Sequence, residues 1–137
     1  MTGLVVCVGV LALASAYGVL QRRRSGRVKV RGRDDGKRLG AAELGTPLGE
    51  RATLVQFSSA FCAPCRATRR VLGEVAGMVA GVTHVEIDAE EHLPLVRELD
   101  ILKTPTVLVL DADGRVVRRA TGQPRKADVL AALGEAV

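Results

Sequence analysis

Residues 53 to 65 read Thr53-Leu54-Val55-Gln56-Phe57-Ser58-Ser59-Ala60-Phe61-Cys62-Ala63-Pro64-Cys65, a β-favouring run that breaks at two serines and leads into a cysteine pair. Thr53 to Phe57 has the length and composition of a strand. Beyond Cys62 the apolar residues fall at 71, 72, 75, 78 and 79, while Arg66, Arg69, Arg70 and Glu74 take the other side. That spacing predicts an amphipathic helix, stopped at Gly81. The two cysteines therefore lie where a strand ends and a helix begins. Unpaired N-H groups and the helix dipole at such a junction favour an anion, so the thiol of Cys62 should ionise below the usual value of about 8.5. Two intervening residues bring the second sulfur within one helical turn of the first. Cys65 can then attack a mixed disulfide held on Cys62. Pro64 suits a first turn that needs no N-H at that point.

Outward from this stretch, Thr83-His84-Val85-Glu86-Ile87-Asp88 alternates strictly and reads as a half-buried strand. Residues 91 to 99 suggest a short helix with Pro94 near its start and Leu95, Val96 and Leu99 facing inward. Val107-Leu108-Val109-Leu110 is apolar throughout, as in a strand covered on both faces. Asp111 to Gly114 signals a turn, with 115 to 120 as the returning strand. A last amphipathic helix would bury Val129, Leu130, Leu133 and Val137. The order of elements gives one α/β domain, its first crossover joining two parallel strands.

Composition sets limits on the remainder. With 137 residues there is room for one ordinary domain and an appendage, and 47% hydrophobic against 26% charged residues is a globular balance. The formal net charge of +5 is concentrated in one place. Residues 22 to 38 carry nine Lys and Arg against Asp34 and Asp35, whereas 39 to 137 hold eleven bases against thirteen acids. A nucleic-acid footprint across the folded part is not supported by this distribution.

Gly3 to Leu20 is uncharged and, as a helix, about 27 Å long, close to the ~30 Å of a bilayer core. Residues 1 to 21 are read as a transmembrane helix, 22 to 38 as a basic juxtamembrane tether lying against anionic lipids, and 39 to 137 as the folded domain. A cleaved signal peptide is the competing reading, because Ala14-Ser15-Ala16 has the form of a cleavage site. The basic residues that follow the apolar stretch favour an uncleaved single-pass anchor with the domain in the cytoplasm, export being the other orientation. Cys7 is assigned no chemistry.

A zinc site built from the cysteine pair with His84 and His92 is disfavoured. The two histidines are eight residues apart on different expected elements, rather than in the usual H-x3-5-H spacing. No metal is expected. His84 is read as a polar residue on a strand's outer face, and His92 as a surface residue of a helix's first turn.

Residues from about 53 to 137 resemble the thioredoxin family. The resemblance lies in the strand Leu54 to Phe57, the pair Cys62-Ala63-Pro64-Cys65, the strand Val85 to Asp88, the loop Thr104-Pro105-Thr106 and Gly122. It implies a thioredoxin-like fold, a central mixed sheet flanked by helices, preceded here by the membrane helix. It also implies a cis Pro105 against the sulfurs, with Thr104 as a backbone contact for substrate bound as a short added strand. The implied activity is protein-disulfide oxidoreduction with no cofactor beyond a redox-active Cys62-Cys65 disulfide. Its partners would be disulfide-bonded or thiol proteins and an electron-donating, flavin-dependent reductase.

The sequence departs from the family at three site positions. Phe61 replaces a tryptophan, keeping an apolar cap, and Ala63 replaces a glycine. Gln56 stands where the family has a buried aspartate, so general-base help at Cys65 is lost there. The family's first strand and helix are also cut short. A thioredoxin-fold binding module with little turnover is the alternative function, and Gln56 and the shortened start are its support.

Overall fold

The computed structural model describes residues 1–24, 28–30 and 37–137. In chain order the elements are α1 (Thr2–Arg24), β1 (Val28–Val30), α2 (Ala41–Leu44), β2 (Ala52–Ser58), α3 (Ala63–Met78), β3 (Val82–Asp88), α4 (Leu93–Glu98), β4 (Thr106–Asp111), β5 (Val116–Thr121) and α5 (Lys126–Ala136). The expected strands and helices all form, with ends shifted by one to three residues. The four-residue α2 has no counterpart in the sequence reading.

The strands make one mixed sheet in the order β1-β5-β4-β2-β3. β2 and β3 run parallel, joined by the α3 crossover, and the other neighbours are antiparallel. This is a thioredoxin-like fold. β2 is buried along its whole length, which is why it reads as a β-favouring run without alternation. Val55 and Phe57 point to one face, where they pack with Leu44, Leu95, Leu99, Leu108 and Leu110. Ala52 and Leu54 point to the other, against Leu72 and Val75 of α3 and Val129 and Leu133 of α5. Val137, expected in that inward face of α5, is exposed.

Val28 to Val30, an alternating triplet with no obvious neighbour in the sequence, pairs antiparallel with β5 through Val28↔Ala120 and Val30↔Arg118. The segment expected as a basic tether lies in large part outside the described residues. At its far end Arg38 bridges Arg115 and Leu39 N donates to Gly114 O. The β4–β5 turn is held by Asp111, whose Oδ1 accepts from the N-H groups of Asp113 and Arg115 at 3.0 and 2.9 Å. Gly114 is required there: φ is +82°, and a Cβ would lie 2.1 Å from Leu39 O.

α1 is long and apolar enough to cross a membrane over Thr2–Arg23 by length and composition. From Thr2 to Arg23 its side chains are exposed, as Leu4, Val8, Leu11 and Leu13 illustrate.

Candidate active site

Cys62 is the N-cap residue of α3 and its side chain accepts a hydrogen bond from Cys65 N at 3.2 Å. Ala63 and Pro64 fill the first turn, where a proline costs no intrahelical bond. The two sulfurs are joined as a disulfide across a Cα separation of 5.2 Å. Their exposure is unequal: Cys62 is half-buried, whereas Cys65 is 1% exposed. An incoming group meets Cys62 first.

The Thr104-Pro105 peptide is cis, as the resemblance implied. Thr104 Oγ1 is 3.9 Å from Cys62 Sγ as a donor and 2.7 Å from Ser59 Oγ. Pro105 O accepts from Gly122 N at 2.8 Å, which ties the loop to the end of β5. Gly122 has φ +89°, so a glycine is favoured at this contact. β2, β4 and β5 thus deliver Ser59, the cis-proline loop and Gly122 to one end of the sheet, beside the cysteine pair.

Phe61, expected as an apolar cap, is fully exposed with φ +60° and stands away from the core. With Ser59, Ala60, Cys62, Cys65, Arg66 and Arg69 it lines an open cleft of about 310 Å³.

Gln56 is 0% exposed and lies under the first turn of α3. Its Nε2 donates to Cys65 O at 2.8 Å and to Ser58 Oγ at 2.9 Å. Its Oε1 is 3.0 Å from His84 Nε2. Because the amide nitrogen faces two acceptors, the oxygen faces a donor, and the proton of neutral His84 belongs on Nε2. His84 is therefore half-buried inside a polar network, not on an outer face. Loss of hydration pushes its pKa below the usual value; nearby Glu86 opposes this and Arg69 adds to it. Arg69 closes the network through a two-pronged pair with Glu86, at 2.7 and 2.8 Å.

The sequence reading missed the partnership of Gln56 with His84. It depends on the parallel register that sets Leu54 beside His84 and Gln56 beside Glu86. His92 is exposed at the start of α4, with Nδ1 3.0 Å from Asp88 O. Among the described residues, no group of three or more His, Cys, Asp and Glu comes together as metal ligands.

The arrangement can pass an electron pair between one disulfide and another. Comparison with known proteins agrees. The thioredoxin family model matches residues 45–135. The chain is 31% identical to a thioredoxin of Mycolicibacterium smegmatis over 87 residues, 61% of this chain and 77% of that one. It is 29% identical to a bifunctional thioredoxin reductase/thioredoxin of Mycobacterium leprae over 85 residues, 61% of this chain and 18% of the longer one. Chloroplastic thioredoxin z is similar in structure, with a TM-score of 0.56 at 28% identity over 63% of this chain and 78% of the other.

Proposed function

The chain belongs to the thioredoxin family, and from that premise we propose that it is a membrane-tethered reductase of protein disulfides, with Cys62 as attacking sulfur and Cys65 as resolving sulfur. Thioredoxin-type disulfide oxidoreduction is its chemistry. The observation that carries the residue assignment is the asymmetry of the pair: Cys62 is accessible and faces two donors, while Cys65 is buried.

In the dithiol form, Cys62 thiolate attacks one sulfur of a substrate disulfide. A Cys62-substrate bond forms as the substrate's S–S bond breaks, and the departing thiolate takes a proton. Cys65 then gives up its proton and attacks Cys62 Sγ. The substrate's second thiol is released, and the Cys62-Cys65 disulfide remains with two electrons fewer. An electron donor must restore the dithiol; the relative that is both thioredoxin reductase and thioredoxin supports a thioredoxin reductase in that role. The Cys62-Cys65 dithiol itself carries the electron pair, so the exchange step calls on no further cofactor.

Thr104 and Pro105 border the accessible sulfur, where their backbone is placed to meet a substrate segment. Gln56 holds the carbonyl of Cys65 and engages its own oxygen with His84, so its part is to position the buried cysteine. The apolar α1 and the basic residues after it support anchoring in a membrane whose anionic lipids face residues 22 to 38.

The test is turnover. Full-length protein in detergent, supplied with dithiothreitol, should reduce a protein disulfide catalytically, and Cys62→Ser should abolish this. Stoichiometric binding of thiol proteins without turnover would leave the binding-module reading in its place.

A further inference from the structure

The chain leaves α1 at Arg24 and enters the sheet at Val28. Four Cα steps span at most about 14 Å, so the sheet is leashed closely to the end of the helix. Which end of the sheet is leashed follows from the register. Val28 pairs with Ala120, one residue before Thr121; Thr121 pairs with Thr106, next to Pro105; and Thr106 pairs with Phe57, at the end of β2 that leads to Cys62. β1 therefore begins at the catalytic end of the sheet. Its continuation leaves toward the opposite end, where Arg38 bridges Arg115. At about 4.8 Å per strand, β4 lies roughly 10 Å and β2 roughly 14 Å from the point of entry. The end of β2 that leads to Cys62 is thus confined to about 30 Å of the helix end.

A second observation concerns the surface at that end. Phe61 and Leu102 are exposed there together with Arg66 and Lys103, while the exposed acids Asp88, Glu90 and Glu91 lie at and beyond the end of β3, the edge of the sheet farthest from β1. Apolar and basic groups side by side are the composition suited to the headgroup zone. We infer that the catalytic end faces the bilayer, and that the preferred partners are cysteine pairs of membrane-embedded proteins lying at headgroup level. The inference rests on α1 being inserted in a membrane, as proposed above.

The test uses full-length chain carrying Cys7→Ser and Cys65→Ser, reduced and reconstituted in vesicles containing anionic lipid. Two single-span probe peptides are compared. One carries a disulfide loop at the headgroups, and the other carries the same loop raised by about 45 Å on a semi-rigid helical stalk of about 30 residues. Cys62 attacks the loop and one probe sulfur leaves as thiol; alkylation at each time point caps that freed thiol before it can re-close the loop, and the mixed disulfide persists because the variant also lacks the resolving thiol of Cys65.

The low probe should be trapped at least tenfold faster than the raised one. A 20-residue Gly/Ser spacer, about 25 Å in mean extension, inserted between Arg24 and Val28 should cut that ratio to below threefold. Both probes share the bilayer, so confinement alone cannot produce the difference. Equal trapping of the two probes by protein that floats with the vesicles would overturn the inferred orientation alone. Failure to float would overturn the anchor, and the orientation with it.

Discussion

Cys62 Sγ receives Cys65 N at 3.2 Å and lies 3.9 Å from the Thr104 hydroxyl, at the amino end of a 16-residue helix. Donors and dipole both favour a thiolate. In Cys65→Ser the rate of alkylation against pH should report an apparent pKa below that of a free cysteine; a value at or above it would remove Cys62 as the nucleophile. Gln56→Asp should speed release from the mixed disulfide in single-turnover reduction at neutral pH, because a carboxylate beneath Cys65 can accept a proton that the amide cannot. Equal rates would show that residue 56 acts only by holding the Cys65 carbonyl.

His84 supplies a pH dependence whose sign is fixed. Its pKa in the fold is lowered, chiefly by loss of hydration, so the unfolded chain binds the proton more readily. The stability is complete above the unfolded value of about 6.5 and is lost as pH falls through it toward the lower folded value. The melting temperature should therefore drop more between pH 7.5 and 5.5 in the native chain than in His84→Gln; parallel curves would refute this. The cysteine pair was legible in the sequence because its chemistry depends on local spacing. The Gln56-His84 contact was not, because residues 28 apart meet only through strand register.

At the scale of elements, the patterns that could be read were those with a period. The alternation of residues 83 to 88 and the 3.6-residue spacing after Cys62 became β3 and α3, because each element buries one stripe or face. α2 has four residues, too few for a period, and its C-cap Gly45 takes the left-handed conformation at φ +72°. β1 has three residues, and its place is set by β5, about 90 residues later in the chain.

Two glycines make opposite predictions. Gly114→Ala forces a positive φ on a side chain and drives a Cβ into the Leu39 carbonyl. It should destabilise the domain by about 2 kcal/mol or more. Gly134, in α5 with open space around its would-be Cβ, should accept alanine with a gain of up to about 1 kcal/mol. Urea midpoints of both variants check the pair, and a Gly114→Ala midpoint equal to that of the native chain would contradict the assigned turn.

For the whole molecule, the apolar stretch and the basic run after it were plain in the sequence. The end of the sheet at which the chain arrives was not, since it follows from the antiparallel pairing of β1. Given the membrane anchor proposed above, charge argues for the side of the bilayer that the domain occupies. Nine Lys and Arg follow the apolar stretch within residues 22 to 38, against two Asp. Moving such a segment across a bilayer opposes the asymmetry that normally fixes orientation, and holding it at an anionic inner leaflet contributes on the order of 1 kcal/mol per base near the surface. A reporter fused after Val137 should accordingly be active on the cytoplasmic side, and intact mass should show that residues 1 to 16 remain. A reporter active only outside would reverse the assignment and place Cys62 and Cys65 in an oxidising compartment. There a dithiol would have to be replenished with electrons from across the membrane, and its targets would be exported thiols and disulfides. In the cytoplasm the same pair draws on soluble reductant directly. The fusion therefore separates two electron supplies as well as two locations.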